Sequence, residues 1–257
     1  MYNFVVEKIT NDLILWIRNW FEHNGNGCNA VVGLSGGKDS TVVAALCARA
    51  LGEDRVIGVA MPDDSKKQGI NGADKISEYL GIKFKTVKIG KICHDVEMAL
   101  GYGIMPGYCI SKQAEQNIPP RVRMTVLYAI AQTENGRVAC CDNASENYIG
   151  YSTFGGDDLG AFAPLGNLTV TEVRAIGHYL GLPDEWIDKT PDDGLPNSNP
   201  DEIKIGFTYE ALDRYLREKV LLSPEVLEKI EKMHNSSEFK RNIIKVPAFE
   251  PEIFVRV

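Results

Sequence analysis

No apolar run in the sequence reaches the roughly 18 residues that a membrane-spanning helix requires, so no membrane segment is expected. Basic residues are also short: 28 Lys and Arg face 35 Asp and Glu, a net charge of −7, which argues against a sequence-independent nucleic-acid binder. The six cysteines (Cys28, Cys47, Cys93, Cys109, Cys140 and Cys141) form no Cys-x-x-Cys pair and follow no metal-ligand spacing. The N-terminal stretch MYNFVVEKITNDLILWIRNWF carries Glu7, Lys8 and Asp12 among its apolar residues, and so reads as an amphipathic helix and not as a secretion signal. Reduced thiols in a cytoplasm are the expectation that follows. There is no internal repeat and no low-complexity segment. A Walker A loop is missing too. Ahead of Gly37-Lys38 it would need glycine where Val32 stands, and Ser or Thr in place of Asp39.

What is present is an ordinary globular composition, 44% hydrophobic and 25% charged over 257 residues, enough for a substantial core in one domain spanning 1–257. Strand and helix signals alternate. Strands are expected over 30–34, 55–61, 83–89 and 137–141, with helices over 40–51, 70–80 and 122–133 and glycine stops at Gly52, Gly81 and Gly136. Helices over 171–180, 209–217 and 224–234, with a last turn around 238–242, make the C-terminal half helical. This pattern predicts an α/β protein of Rossmann-like type, a doubly wound parallel sheet with helices on both faces and a helical C-terminal part. Two segments, 61–69 and 190–206, resist assignment and read as binding loops or lids. In such sheets ligands sit beyond the C-terminal ends of the strands, where 33–40, 61–65 and 141–146 should converge.

The sharpest feature is Val31-Val32-Gly33-Leu34-Ser35-Gly36-Gly37-Lys38-Asp39-Ser40, an apolar strand running into a glycine-rich turn and then a helix. Gly36 and Gly37 lack Cβ atoms and can wrap a phosphate closely with positive φ. The following helix offers unpaired amides at the positive end of its dipole, an anion site suited to a polyphosphate. Ser-Gly-Gly-x-Asp-Ser after a strand resembles the pyrophosphate loop of the ATP pyrophosphatases, which release pyrophosphate and transfer AMP.

Further motifs follow in a definite order: Asn117 to Met124 (NIPPRVRM), Asp142 to Glu146 (DNASE), Gly150 to Asp157 (GYSTFGGD), Leu168 to Arg174 (LTVTEVR), Lys189-Thr190-Pro191, and Gly206 to Tyr209 (GFTY). Together with the loop, this order resembles the ammonia-dependent NAD synthetase family over about residues 5 to 250. The resemblance implies that deamido-NAD, ATP and ammonia are converted to NAD, AMP and pyrophosphate through an acyl-adenylate, with Mg²⁺ as cofactor and ATP as co-substrate. It places Gly33, Leu34, Ser35, Gly36, Gly37, Lys38, Asp39, Ser40, Met61 and Cys141 around ATP. Lys38, Asp39 and Glu146 carry the chemistry, and Asp39 and Glu146 are the metal ligands. Carboxylates are the hard donors that magnesium takes. Arg121, Asp157 and Lys240 are assigned to deamido-NAD. Arg123 lies some 200° from Arg121 around the helix, cannot readily share its ligand, and reads as structural.

The same resemblance implies a homodimer. The apolar stripe Val6, Ile9, Leu13, Trp16, Ile17 and Trp20 on the first helix would pack across the two-fold axis, and Lys240 would reach the partner's site. It implies no glutaminase domain, so nitrogen comes as ammonia. Four positions depart from the family pattern: Cys141 stands for a threonine, Val170 for a lysine, Asp192 for a Ser or Thr of the lid, and Ala161 for an aspartate of some branches. Two other readings follow from these departures. One is a catalytically weak ATP- or dinucleotide-binding sensor of the same fold; the other is a different amide ligase of the ATP pyrophosphatase type.

Overall fold

The computed structural model describes residues 2–66, 69–103, 109–189, 200–243 and 249–251. Asp192, Thr190 and Pro191, with most of the expected lid, lie outside the described residues.

A parallel sheet of four strands, among the described residues, forms the centre of the molecule. β1 (Asn29–Gly33), β2 (Val56–Ala60), β3 (Lys83–Thr86) and β4 (Gly136–Val138) are ordered β3-β2-β1-β4. Val31 pairs with Ile57 on one side and Val138 on the other, so β1 is central and its C-terminal end opens between two neighbours. Strand periodicity sorts the side chains. Ala30 and Val32 pack into the core shared with α1 (Val6–Asn24), α2 (Lys38–Leu51) and α7 (Val170–Tyr179). Val31, Ile57 and Val59 face the opposite core under α4 (Gly90–Gly103) and α5 (Lys112–Thr133). Both faces are therefore covered, as a parallel sheet demands. Gly58 is required by this packing, because a Cβ there would come within 2.4 Å of Leu34 Cδ1.

Three expectations need correction. The helix read as 122–133 begins ten residues earlier, at Lys112. Ser111 Oγ accepts from the Ala114 amide at 3.2 Å as its cap, and the helix runs through Pro119 and Pro120, a residue type that ordinarily breaks or kinks a helix interior. Part of the segment expected to be irregular forms α9 (Asp201–Ile205), after α8 (Asp184–Ile187).

The third correction concerns assembly. The apolar stripe of α1, expected to pack across a two-fold axis, is largely taken up by the chain's own core. Ile9, Leu13 and Ile17 are at most 1% exposed, Trp20 stacks on Phe162 at 4.9 Å, and Trp16 meets Phe249 edge-on. A helix covering a monomer core shows the same periodicity as one at an interface, so the pattern could not separate the two.

The C-terminal helices α10 (Tyr209–Glu218) and α11 (Pro224–Ser236) build a third core with α6 (Ala144–Ile149) around Ile149, Val170, Tyr209, Leu212 and Ile230, and α12 (Glu238–Ile243) follows α11. Val170 is thus a core residue, 1% exposed. Polar ties fix this layer to α7. Glu172, 1% exposed, receives Arg217 Nε and Nη2 at 2.7 Å each, the Tyr2 hydroxyl at 3.0 Å and the Thr169 amide at 2.7 Å. Among the described residues no helix is long and apolar enough to cross a membrane.

Candidate active site

The turn after β1 is built as its residues require. Gly36 is left-handed at φ +79°, and a Cβ there would come within 2.2 Å of the Asn71 carbonyl oxygen, so only glycine fits. Gly37 differs from the expectation: it is extended at φ −94° and caps α2, which therefore starts at Lys38. Ser35 and Ser40 tie the turn together, with their hydroxyls 3.1 Å apart and the Gly37 amide donating to Ser35 Oγ at 3.2 Å. The first turn of α2 consequently presents Lys38, Asp39 and Ser40 with amides that have no intrahelical acceptor.

This turn forms one wall of a cleft of about 730 Å³ at the carboxyl edge of the sheet. Gly33, Leu34, Ser35, Gly37, Lys38, Asp39 and Ser40 line it, together with Met61 from the end of β2, Cys141, Glu146 and Asp157. The three segments expected to converge do so. Gly36 supports the turn from behind. Arg121 is exposed outside the cleft lining, and its Nε donates to the Phe154 carbonyl at 3.1 Å. Arg123, read as structural, does line the cleft, and its Nε donates to the Met61 carbonyl at 3.1 Å. Lys240 donates to the Gly150 and Ser152 carbonyls of its own chain at 2.7 and 2.6 Å, bracing two residues of the cleft's lip.

The electrostatics centre on α2 and α6. Asn143 caps α6 in a reciprocal capping box with Glu146, and its Nδ2 donates to Asp39 Oδ1 at 3.1 Å, locking the two acidic walls to each other. Lys38 is 3% exposed with Nζ 2.7 Å from Asp39 Oδ2. Its burial would lower the ammonium pKa, but the Asp39 and Glu146 carboxylates outweigh it and the net shift is upward. Burial, with the Asp39 charge beside it, pushes the Glu146 carboxyl up to about 8 against the pull of Lys38.

Sequence reasoning gave no role to Asp142. It is 7% exposed, lines the cleft, and its Oδ2 has no hydrogen-bond partner among the described residues. Burial, then the Asp157 and Glu146 charges, raise its pKa well above the carboxylate range. Its adjacency to Asn143-Ala144-Ser145-Glu146 was the signal that could have found it. The orphaned Oδ2, in a cleft that Asp39 and Glu146 also line, is a hard oxygen donor of the kind that magnesium takes, so the chemistry of these residues suits that ion. A second group lies apart from the cleft. His178, Asp184 and Asp188 are exposed, with ligand atoms within 4.8 Å of one another, and could also hold a divalent ion. Both ring nitrogens of His178 already sit 3.2 Å from those carboxylates.

The thiols show no sign of reactivity in the cleft. Cys140 is buried and Cys141 half-buried, and burial raises both pKa values well above the ordinary range. Cys109 is exposed. Alkylation of the native protein with iodoacetamide near neutral pH should therefore mark Cys109 first, read by peptide mass mapping. Faster labelling of Cys141 would contradict this arrangement.

A glycine turn feeding a helix N-terminus, opposed by the buried Asp142 and the half-buried Glu146 at the open edge of a parallel sheet, defines a nucleotide-binding α/β protein equipped for phosphate chemistry. Comparison with known proteins narrows the class. The sequence model described as NAD synthase matches residues 9–244. The NH(3)-dependent NAD(+) synthetase of Methanococcus aeolicus is 42% identical over 213 residues, 82% of each chain. Among solved structures, NMN synthetase from Francisella tularensis superposes with a TM-score of 0.84 at 31% identity, covering 96% of this chain and 100% of that one. The NH3-dependent NAD synthetase from Campylobacter jejuni gives 0.73 at 26% identity, over 95% and 99%. The chain belongs to the NAD synthase family.

Proposed function

We propose that this chain amidates the nicotinate carboxylate of deamido-NAD with ammonia, using ATP and releasing AMP and pyrophosphate. The observation that carries the reading is that the Ser35–Ser40 turn, Lys38, Asp39 and Glu146 meet in one cleft of a chain matched by the family over 9–244. A carboxylate oxygen attacks the α-phosphorus and pyrophosphate leaves. Ammonia then attacks the acyl carbon, AMP departs with the bridging oxygen, and one proton is lost from nitrogen. The amides at the start of α2 receive the phosphates, and Lys38 adds a positive charge beside them. Asp39 and Glu146, with Asp142 behind them, would hold Mg²⁺, which when bound supplies neutralisation of the polyphosphate charge. Met61 and Cys141 lie where ATP would contact the ends of β2 and β4. Asp157, whose Oδ1 accepts the Thr153 amide at 2.7 Å, would face deamido-NAD, with Arg121 and Lys240 at the rim.

Incubation with ATP, Mg²⁺, ammonium and deamido-NAD should give NAD, AMP and pyrophosphate in equal amounts. ADP and phosphate as products would contradict the reading, and so would equal turnover with glutamine in place of ammonium. The reaction belongs in the cytoplasm, where buried cysteines stay reduced. We also propose a homodimer. With the α1 stripe committed to the core, the exposed Ile92 and Val96, one turn apart on α4, and Tyr128 of α5 are the apolar surface that would form the contact. Light scattering at micromolar concentration should give about twice the 28.4 kDa chain mass.

A second reading concerns the size of the acid. The higher TM-score and identity to the Francisella protein favour testing its product, NMN, which the same chemistry would make from nicotinate mononucleotide. The ratio of kcat/KM for the mononucleotide and dinucleotide acids decides between them.

A further inference from the structure

The carboxylate pair at the head of the cleft already holds a cation belonging to the chain. Lys38 occupies the first position of α2, where burial and the positive end of the helix dipole both work against a charged amine. Its ammonium is held there by carboxylate, 2.7 Å from Asp39 Oδ2. Asp39 Oδ1 is engaged separately by Asn143 Nδ2, so Oδ2 is the oxygen left to ligate a metal, and Lys38 sits on it. An ammonium and a divalent ion cannot both lie against one carboxylate oxygen without strong mutual repulsion. Displaced from Asp39, the lysine would be a buried charge with no counter-ion unless an anion arrives in the cleft, and the phosphates of a nucleotide are that anion.

We propose that Lys38 is a tethered counter-ion that competes with the divalent metal for Asp39 and Glu146, so that the metal loads together with nucleotide and only weakly without it. The inference rests on the assignment of Asp39 and Glu146 as metal ligands made above. It makes Lys38 more than a phosphate contact, because it sets the order in which the cleft fills.

The test is a Mn²⁺ titration of the nucleotide-free full chain, with free ion read by electron paramagnetic resonance, for wild type, Lys38→Met and Lys38→Gln. Methionine keeps the length and removes the charge. Glutamine keeps a donor toward Asp39 and serves if the methionine variant does not fold. Both should bind Mn²⁺ at least tenfold more tightly than wild type, and Mn²⁺ should raise their melting temperatures more than it raises that of wild type. Affinity equal to or below wild type in the folded variants would overturn the proposal. Asp39→Asn in the Lys38→Gln background separates the two levels of the argument. If that change leaves Mn²⁺ affinity untouched, the ligand assignment fails. If it abolishes binding, the ligands stand and the Lys38 comparison alone decides.

Discussion

Asp39→Asn and Glu146→Gln should each lower turnover by on the order of a hundredfold or more at saturating ATP and magnesium. Glu146→Gln spares the local architecture, whereas Asp39→Asn also takes the carboxylate away from the buried Lys38 ammonium 2.7 Å from Asp39 Oδ2. Asparagine at 39 keeps a carbonyl oxygen for the Asn143 amide that Asp39 Oδ1 now accepts. Glutamine at 146 can still accept from the Asn143 backbone in the α6 capping box. What each loses is a negative charge where we propose that a cation is held against a polyphosphate, so the deficit should fall on kcat; the melting temperature should change little for Glu146→Gln and should fall for Asp39→Asn, which strands the Lys38 ammonium. Near-wild-type turnover in either variant would remove that residue from the proposed metal-binding pair. A large fall in the melting temperature of Glu146→Gln would show that this substitution acts through the fold.

The largest effect on stability is expected at Arg217→Met. The guanidinium makes two bonds of 2.7 Å to Glu172 and a third of 2.6 Å to the Asn167 carbonyl. Removing it strands a carboxylate that is 1% exposed, and breaking one side of a buried ion pair costs about 3–5 kcal/mol. The midpoint of urea unfolding should fall accordingly, with an unchanged slope. The double variant Arg217→Met, Glu172→Met should recover part of the loss, because no unpaired charge is then left behind. A single-variant loss below about 1 kcal/mol would mean that Tyr2 and the Thr169 amide suffice to hold Glu172.

The sheet and the phosphate-binding turn were legible in the sequence because local rules decide both. Apolar runs bounded by glycine marked all four strands to within a few residues, and the strand-glycine-helix junction at Ser35–Ser40 has little conformational freedom. The start of α5 was not legible. Its cap at Ser111 lies eleven residues before the expected start, and the Pro119-Pro120 pair carries a strong breaker signal that the packing of Ile118, Val122 and Leu127 against the sheet overrides. Nor could the pattern on α1 reveal its partner. Periodicity identifies an apolar face, and only the fold shows that Phe162, α2 and α7 already cover much of it. At the site, Asp39 and Glu146 stood out through their motifs. The burial of Asp142 depends on elements that meet only in the fold, as the Asn143–Asp39 bond does across 104 residues of chain, and the pairing of the neighbours Lys38 and Asp39 depends on the burial of the lysine.

The central claim is that the nicotinate carboxylate is activated by transfer of AMP, and an oxygen label tests it directly. Deamido-NAD carrying ¹⁸O at both carboxylate oxygens is turned over with ATP and ammonium, and the AMP is analysed by mass spectrometry. Attack on the α-phosphorus followed by displacement with ammonia leaves one labelled oxygen on the phosphate of every AMP formed. AMP free of label, or label recovered in phosphate alongside ADP, would contradict the account.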